Sequence, residues 1–221
     1  MQAAKLTCDA RQNMVDNQLR PNKVNRGPVL QRFMDVPREP FADVGSAAQA
    51  YVDNLLPIGQ GRVMFAPMTI ARLLQELNLK ATDEVLVAAG GTGYTAAIVA
   101  PLVKKVTLVE NNNYLLDVAR STIIDLHLNN IEFVKAQPEA GFAKGAPYNA
   151  IIMDAAVEEI PQTLIDQLAE NGRIAAVVGK GSDIKQATIY VKVGKTLFEE
   201  GLFETKGEIL ENFKQQEKFV F

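Results

Sequence analysis

Downstream of Pro67 the apolar residues switch repeatedly between two spacings. Ile70, Leu73, Leu74 and Leu77 recur at helical spacing, which predicts a helix with one buried face. Glu84–Ala89 (EVLVAA) is a continuous apolar run of strand length, broken by Gly90–Gly93. Tyr94–Val103 returns to a helix, limited by Pro101. Val106–Glu110 follows as a strand, then Asn111–Leu128 as a helix with Leu115, Val118, Ala119 and Leu126 on one side. Ile131–Lys135 and Tyr148–Asp154 (YNAIIMD) read as strands. Pro161–Leu168 reads as a helix closed by Asn171-Gly172, and Arg173–Val178 as the next strand. Apolar strands alternating with helices predict an α/β fold, with a mostly parallel, doubly wound sheet covered on both faces.

The two ends of the chain break this rhythm. A helix is predicted over Thr7–Leu19, and a second from Pro28, with Val29, Leu30, Phe33 and Met34 as its apolar face and Pro37 and Pro40 beyond its end. Asp53–Gly61 (DNLLPIGQG) reads as an irregular loop, punctuated by Pro57, Gly59 and Gly61. Thr188–Val193, Phe203–Leu210 and Lys218–Phe221 read as antiparallel strands finishing one sheet edge. The expected organisation is an N-terminal helical and loop segment, 1–66, over a compact domain, 67–221.

Composition narrows the function classes. Of 221 residues 48% are apolar, enough for a substantial core. The 23 basic and 26 acidic side chains are interspersed and sum to −3, which argues against a nucleic-acid-binding face. With Cys8 as the one cysteine and His127 as the one histidine, an internal disulfide cannot form and a Cys/His zinc site is not expected. His127 reads as a surface residue at a helix end. No apolar run approaches the roughly 20 residues that span a bilayer, and Met1–Arg20 lacks a signal-peptide core. A cytoplasmic protein without membrane contact, monomeric or weakly dimeric, is expected.

The candidate chemistry lies at Ala89-Gly90-Gly91-Thr92-Gly93-Tyr94, where a strand runs through glycines into a helix. Open parallel sheets bind ligands at the carboxyl ends of their strands, and glycines let the backbone approach them closely. Seventeen residues after Gly93 the next strand ends at Glu110, whose carboxylate can accept hydrogen bonds from both hydroxyls of a ribose. Ala89, Gly90, Gly91, Thr92, Gly93, Glu110 and Asn111 are therefore candidate contacts for an adenosine-containing cofactor. The spacing leaves two alternatives open: a tight turn without a ligand, and a dinucleotide site of an oxidoreductase with Ala96 in place of a third glycine. Tyr94 either stacks near the ligand or packs under the turn.

Over about residues 11–180 the chain resembles the protein-L-isoaspartate O-methyltransferases. Met14–Leu19 and Val36-Pro37-Arg38-Glu39-Pro40-Phe41 look like that family's N-terminal signature. Ala50–Asp53 and Leu56-Pro57-Ile58-Gly59-Gln60-Gly61 look like the lead-in to its substrate loop. Tyr148–Ile152, Ala155-Ala156, Ile160-Pro161 and Leu168…Asn171-Gly172-Arg173 look like later strand regions. The resemblance implies a Rossmann-like methyltransferase fold, S-adenosylmethionine as cofactor, and methyl transfer to the free carboxylate of isoaspartyl residues in damaged proteins. An ionised carboxylate needs no general base to attack, so the missing His–Asp pair is no obstacle. It also implies Gln137 near the adenine, where the family carries Asp, and the loop 57–67 over the site.

Three departures from the family pattern stand out: Phe65, four positions after Gly61, where a hydroxyl residue is usual; Val87 for an acidic residue; and Ala89 for the first turn glycine. Phe65 occupies a catalytic position without a donor. Arg62, whose planar fork matches a carboxylate, and Thr69 are the candidate replacements. Asp154 either faces the cofactor sulfonium or caps the following loop, and capping is the expectation. The alternative function is a divergent member without isoaspartyl activity, binding the cofactor only or methylating another substrate.

Overall fold

The computed structural model describes residues 2–181 and 184–215. The N-terminal segment forms α1 (Gln2–Met14), which continues as a π-helix over Val15–Leu19, and α2 (Gly27–Asp35). Where an irregular loop was expected, the chain makes a short antiparallel hairpin, β1 (Leu56–Gly59) and β2 (Arg62–Met64). Leu56 and Ile58 alternate with Pro57 as buried and exposed positions, so a two-residue period lay under the Pro and Gly breakers. Gln60 and Gly61 at its tip both have positive φ, as such a tight hairpin requires.

α3 (Pro67–Leu77) leads into the main sheet: β3 (Glu84–Ala88), α4 (Tyr94–Val99), β4 (Lys105–Glu110), α5 (Asn113–Asp125), β5 (Ile131–Lys135), β6 (Tyr148–Val157), α6 (Gln162–Asp166), β7 (Leu168–Val178), β8 (Ile184–Val193) and β9 (Thr196–Lys206). The strand order is β5-β4-β3-β6-β7-β8-β9. β3 through β7 run parallel, and β8 and β9 close the edge antiparallel. This is the α/β, mostly parallel, doubly wound fold expected. Val85 and Val87 enter one apolar cluster while Leu86 and Ala88 enter another on the opposite face. That two-sided burial is why β3 reads as an unbroken apolar run. Each such buried valine or leucine contributes about 1.5–3 kcal/mol.

Several boundaries differ from the sequence reading. β6 continues three residues beyond Asp154, because Ala156 and Val157 pair with Val177 and Val178 of β7. Its register shifts between Ile152 and Ala156, so Asp154 lies within a bulge in mid-strand and does not cap a loop. α6 is short, and β7 begins at Leu168, so Asn171-Gly172 falls inside a strand whose pairing is interrupted between Tyr148↔Leu168 and Ala150↔Arg173. After β9 the chain turns at Gly207 and touches β6 by a single bridge, Ala156↔Ile209. A Cβ on Gly207 would lie 2.9 Å from both Ala156 and Phe65, a fit that only glycine allows. The strand expected over Lys218–Phe221 lies outside the described residues.

Candidate active site at the glycine turn

The turn after β3 sits where the sheet order reverses, with β4 on one side of β3 and β6 on the other. That is the place where doubly wound sheets bind ligands. Gly90 N–H donates to Val109 O at 3.1 Å and Gly93 N–H to Gly90 O at 2.9 Å, which bends the chain into α4. Gly91 and Gly93 have φ of 53° and 92°. Thr92 Oγ1 donates to Phe41 O at 2.7 Å, tying the turn to the N-terminal segment.

Glu110 faces this turn, as the sequence spacing requires. Its Oε2 accepts from Gly91 N–H at 2.9 Å, and its Oε1 from Asn111 and Asn112 N–H, each at 3.0 Å. The carboxylate is wholly buried and aimed by three backbone donors. The space beside it, however, is not open. Arg62 Nη1 lies 3.3 Å from each Glu110 oxygen, and Arg62 Nη2 donates to Ala89 O at 3.0 Å. Ile58 covers the bend, since a Cβ on Gly91 would come within 2.7 Å of its Cδ1. About 10 Å³ remains between Ile58, Val63, Met64, the turn and Asp154. That is no more than a single water needs, against the roughly 300 Å³ or more of a typical ligand pocket. Residues of the 57–67 loop, Ile58, Val63 and Met64, pack over the turn and line this small space.

Ala89 holds φ of 58°, a left-handed conformation that glycine adopts without strain. Gln137 is exposed and lies near Asn111 and the C-terminal segment. Its Oε1 accepts from Asn111 Nδ2 at 2.9 Å and from Asn212 Nδ2 at 2.8 Å. Asp154 is buried behind the turn, with Oδ1 accepting from Thr95 Oγ1 at 2.8 Å. Burial raises its carboxyl to a pKa of about 6, against the smaller opposing pull of the Thr95 hydrogen bond, Arg62 and Arg38, while Glu110 pushes it the same way as burial.

Phe65 is buried, with its ring against Gly207 and its carbonyl accepting from Arg38 Nη2. Thr69 lies elsewhere: its hydroxyl pairs with Thr205 at 2.7 Å, beside a different cavity of about 150 Å³. Val87 packs in the core. Tyr94 packs under the turn, edge-to-face on Phe41 and Phe33 at 5.4 and 6.2 Å between ring centres, with the Arg38 guanidinium 4.8 Å above its ring.

Three participants were missed by sequence reasoning. Arg38 is completely buried, and its Nε and Nη1 have no hydrogen-bond partner; burial holds its pKa below the usual arginine value. The sequence places it in the Val36–Phe41 block and gives it no role. Ile58 falls in the stretch that reads as a loop, yet its two-residue spacing from Leu56 marks it as inward. Asn212 had no local signal, because only the returning C-terminal segment brings it to Gln137. No group of acidic, histidine or cysteine side chains that could hold a metal occurs among the described residues. No helix among them is long and apolar enough to cross a membrane.

A glycine turn at the switch point of a doubly wound sheet, faced by an acidic residue from the next strand, defines the class of nucleoside-binding α/β proteins. Comparison with known proteins narrows the class. The profile of the protein-L-isoaspartate(D-aspartate) O-methyltransferases matches residues 9–202. A protein-L-isoaspartate O-methyltransferase of Herpetosiphon aurantiacus is 37% identical over 173 residues, 78% of this chain and 77% of that protein. One from Syntrophobacter fumaroxidans is 36% identical over 185 residues, 84% of this chain and 86% of its own. A solved protein-L-isoaspartate O-methyltransferase superposes with a TM-score of 0.80 at 24% identity, covering 92% of this chain and 67% of that one. A Plasmodium falciparum structure assigned to the same family, solved with S-adenosyl-L-homocysteine, superposes with a TM-score of 0.75 at 19% identity, covering 91% of this chain and 98% of its own. The chain belongs to the protein-L-isoaspartate O-methyltransferase family.

Proposed function

We propose that this protein uses S-adenosylmethionine to methylate the free carboxylate of isoaspartyl residues in damaged proteins or peptides, a repair reaction, in the cytoplasm. The observation that carries the reading is the Glu110 carboxylate, held by three backbone N–H groups beside the glycine turn in a chain of this family. The donor set fits the cofactor: Glu110 keeps an acceptor site for a ribose hydroxyl beside the turn, and Asn111 and Gln137 offer polar atoms next to it. Bound there, the cofactor would supply an activated methyl group. The protein's share is to hold the acceptor carboxylate in line and to exclude water, which can supply a large part of the acceleration. Phe65 is turned into the core and the Thr69 hydroxyl is committed to Thr205, while Arg62 at the turn is engaged with Glu110 and Ala89.

A second reading, a family member without isoaspartyl activity, is favoured by the closed space over the turn and by the lack of a hydroxyl at Phe65. One experiment separates the two: transfer of labelled methyl from S-adenosylmethionine to an isoaspartyl peptide, with the aspartyl peptide as control. Incorporation specific to the isoaspartyl peptide supports the first reading. Cofactor binding without incorporation supports the second.

A further inference from the structure

We propose that Arg62 is an internal competitor for Glu110, occupying the place of the ribose, and so sets the affinity of the protein for its cofactor. This rests on the cofactor reading above. The guanidinium sits on the carboxylate that a nucleoside would have to take over. It faces both Glu110 oxygens and it covers the Ala89 carbonyl at the bend of the turn. Its side chain is 11% exposed, so it fills the cleft and does not lie along the rim.

The contact is built to be displaced. One nitrogen straddles both carboxylate oxygens at 3.3 Å, longer than the 2.7–2.9 Å of a strong charge-assisted bond and without the paired geometry of a fork. Glu110 does not depend on it for its orientation, because the Gly91, Asn111 and Asn112 amides hold the carboxylate at 2.9–3.0 Å from the protein side. When Arg62 leaves, the carboxylate keeps those three donors and has one of its four lone-pair sites, on Oε2, left for a hydroxyl. β2 is a three-residue strand hydrogen-bonded only to β1, with Arg62 at its start beside the exposed Gln60 and Gly61, while Leu56, Ile58 and Met64 of the hairpin pack into the core. Ile58, on the partner strand of the same hairpin, covers Gly91, so both obstructions belong to one element.

The test is calorimetric titration of S-adenosylhomocysteine into the wild type, Arg62→Ala and Arg62→Gln, with a thermal melt of each protein without ligand. We expect both variants to bind about tenfold more tightly than the wild type, equivalent to removing about 1.4 kcal/mol of internal competition. We also expect both to melt lower without ligand, because Glu110 loses its cation. Affinity unchanged or weakened in both variants would overturn the proposal and leave Arg62 a structural clamp. Binding to none of the three would overturn the cofactor reading itself, and this inference with it. Should Arg62→Ala fail to fold, Arg62→Gln, which is shorter and uncharged but keeps a polar head, decides the matter alone.

Discussion

Replacing Asp154 by Asn should stabilise the protein, and by an amount that depends on pH. The side chain is buried in the β6 bulge, and its carboxyl titrates near pH 6 in the folded chain against 3.8 when unperturbed. Between those values the folded chain keeps a proton that the unfolded chain releases, so stability falls as pH rises through that window. Well below pH 3.8 both states are protonated and the penalty is absent; above about pH 6 it is nearly complete. A gap of about 2 units corresponds to roughly 3 kcal/mol. Asn keeps an oxygen to accept from Thr95 Oγ1 and carries no charge, so it removes the penalty while preserving the hydrogen bond. Urea unfolding of both proteins from pH 4 to pH 8 measures the effect. The difference between them cancels the carboxylates they share. It should be small at pH 4, rise through pH 5 and level off at about 3 kcal/mol in favour of Asn by pH 7. A difference that stays constant across the range, or an Asn variant less stable at pH 7, would refute the argument, because either result means that Asp154 is not a desolvated carboxyl.

Ala89→Gly should raise the melting temperature. An alanine at φ of 58° costs roughly 1–2 kcal/mol, and glycine's extra freedom in the unfolded chain returns about 0.5–1 of that. The net gain should lift Tm by a few degrees, and a lower Tm in calorimetry would show that the turn is not strained. Thr69→Val should cost about 1 kcal/mol by unpairing Thr205, with S-adenosylhomocysteine affinity within about twofold of the wild type. A tenfold loss in a binding titration would put the Thr69 hydroxyl in the pocket.

What the sequence determined by itself is the part governed by short-range pattern. Two-sided apolar runs between helical stretches specify a parallel doubly wound sheet. Glycines after Ala88 and an acidic residue at the end of the next strand put Glu110 opposite the turn, because parallel neighbours in a right-twisted sheet end side by side. Even the misread hairpin over 56–64 had its period in the sequence, masked by Pro57, Gly59 and Gly61. Tertiary structure decided what fills the site. Arg62 reaches Glu110 across 48 positions of chain, Thr69 is drawn to Thr205 across 136, and Asn212 meets Gln137 across 75. No local periodicity encodes such pairings. They depend on which strand the hairpin packs over and on where the chain returns after β9. Whether Asp154 is a surface cap or a buried carboxyl with a raised pKa likewise turned on how far β6 stays paired with β7. Burial, unlike strand propensity, is a property of the assembled neighbours.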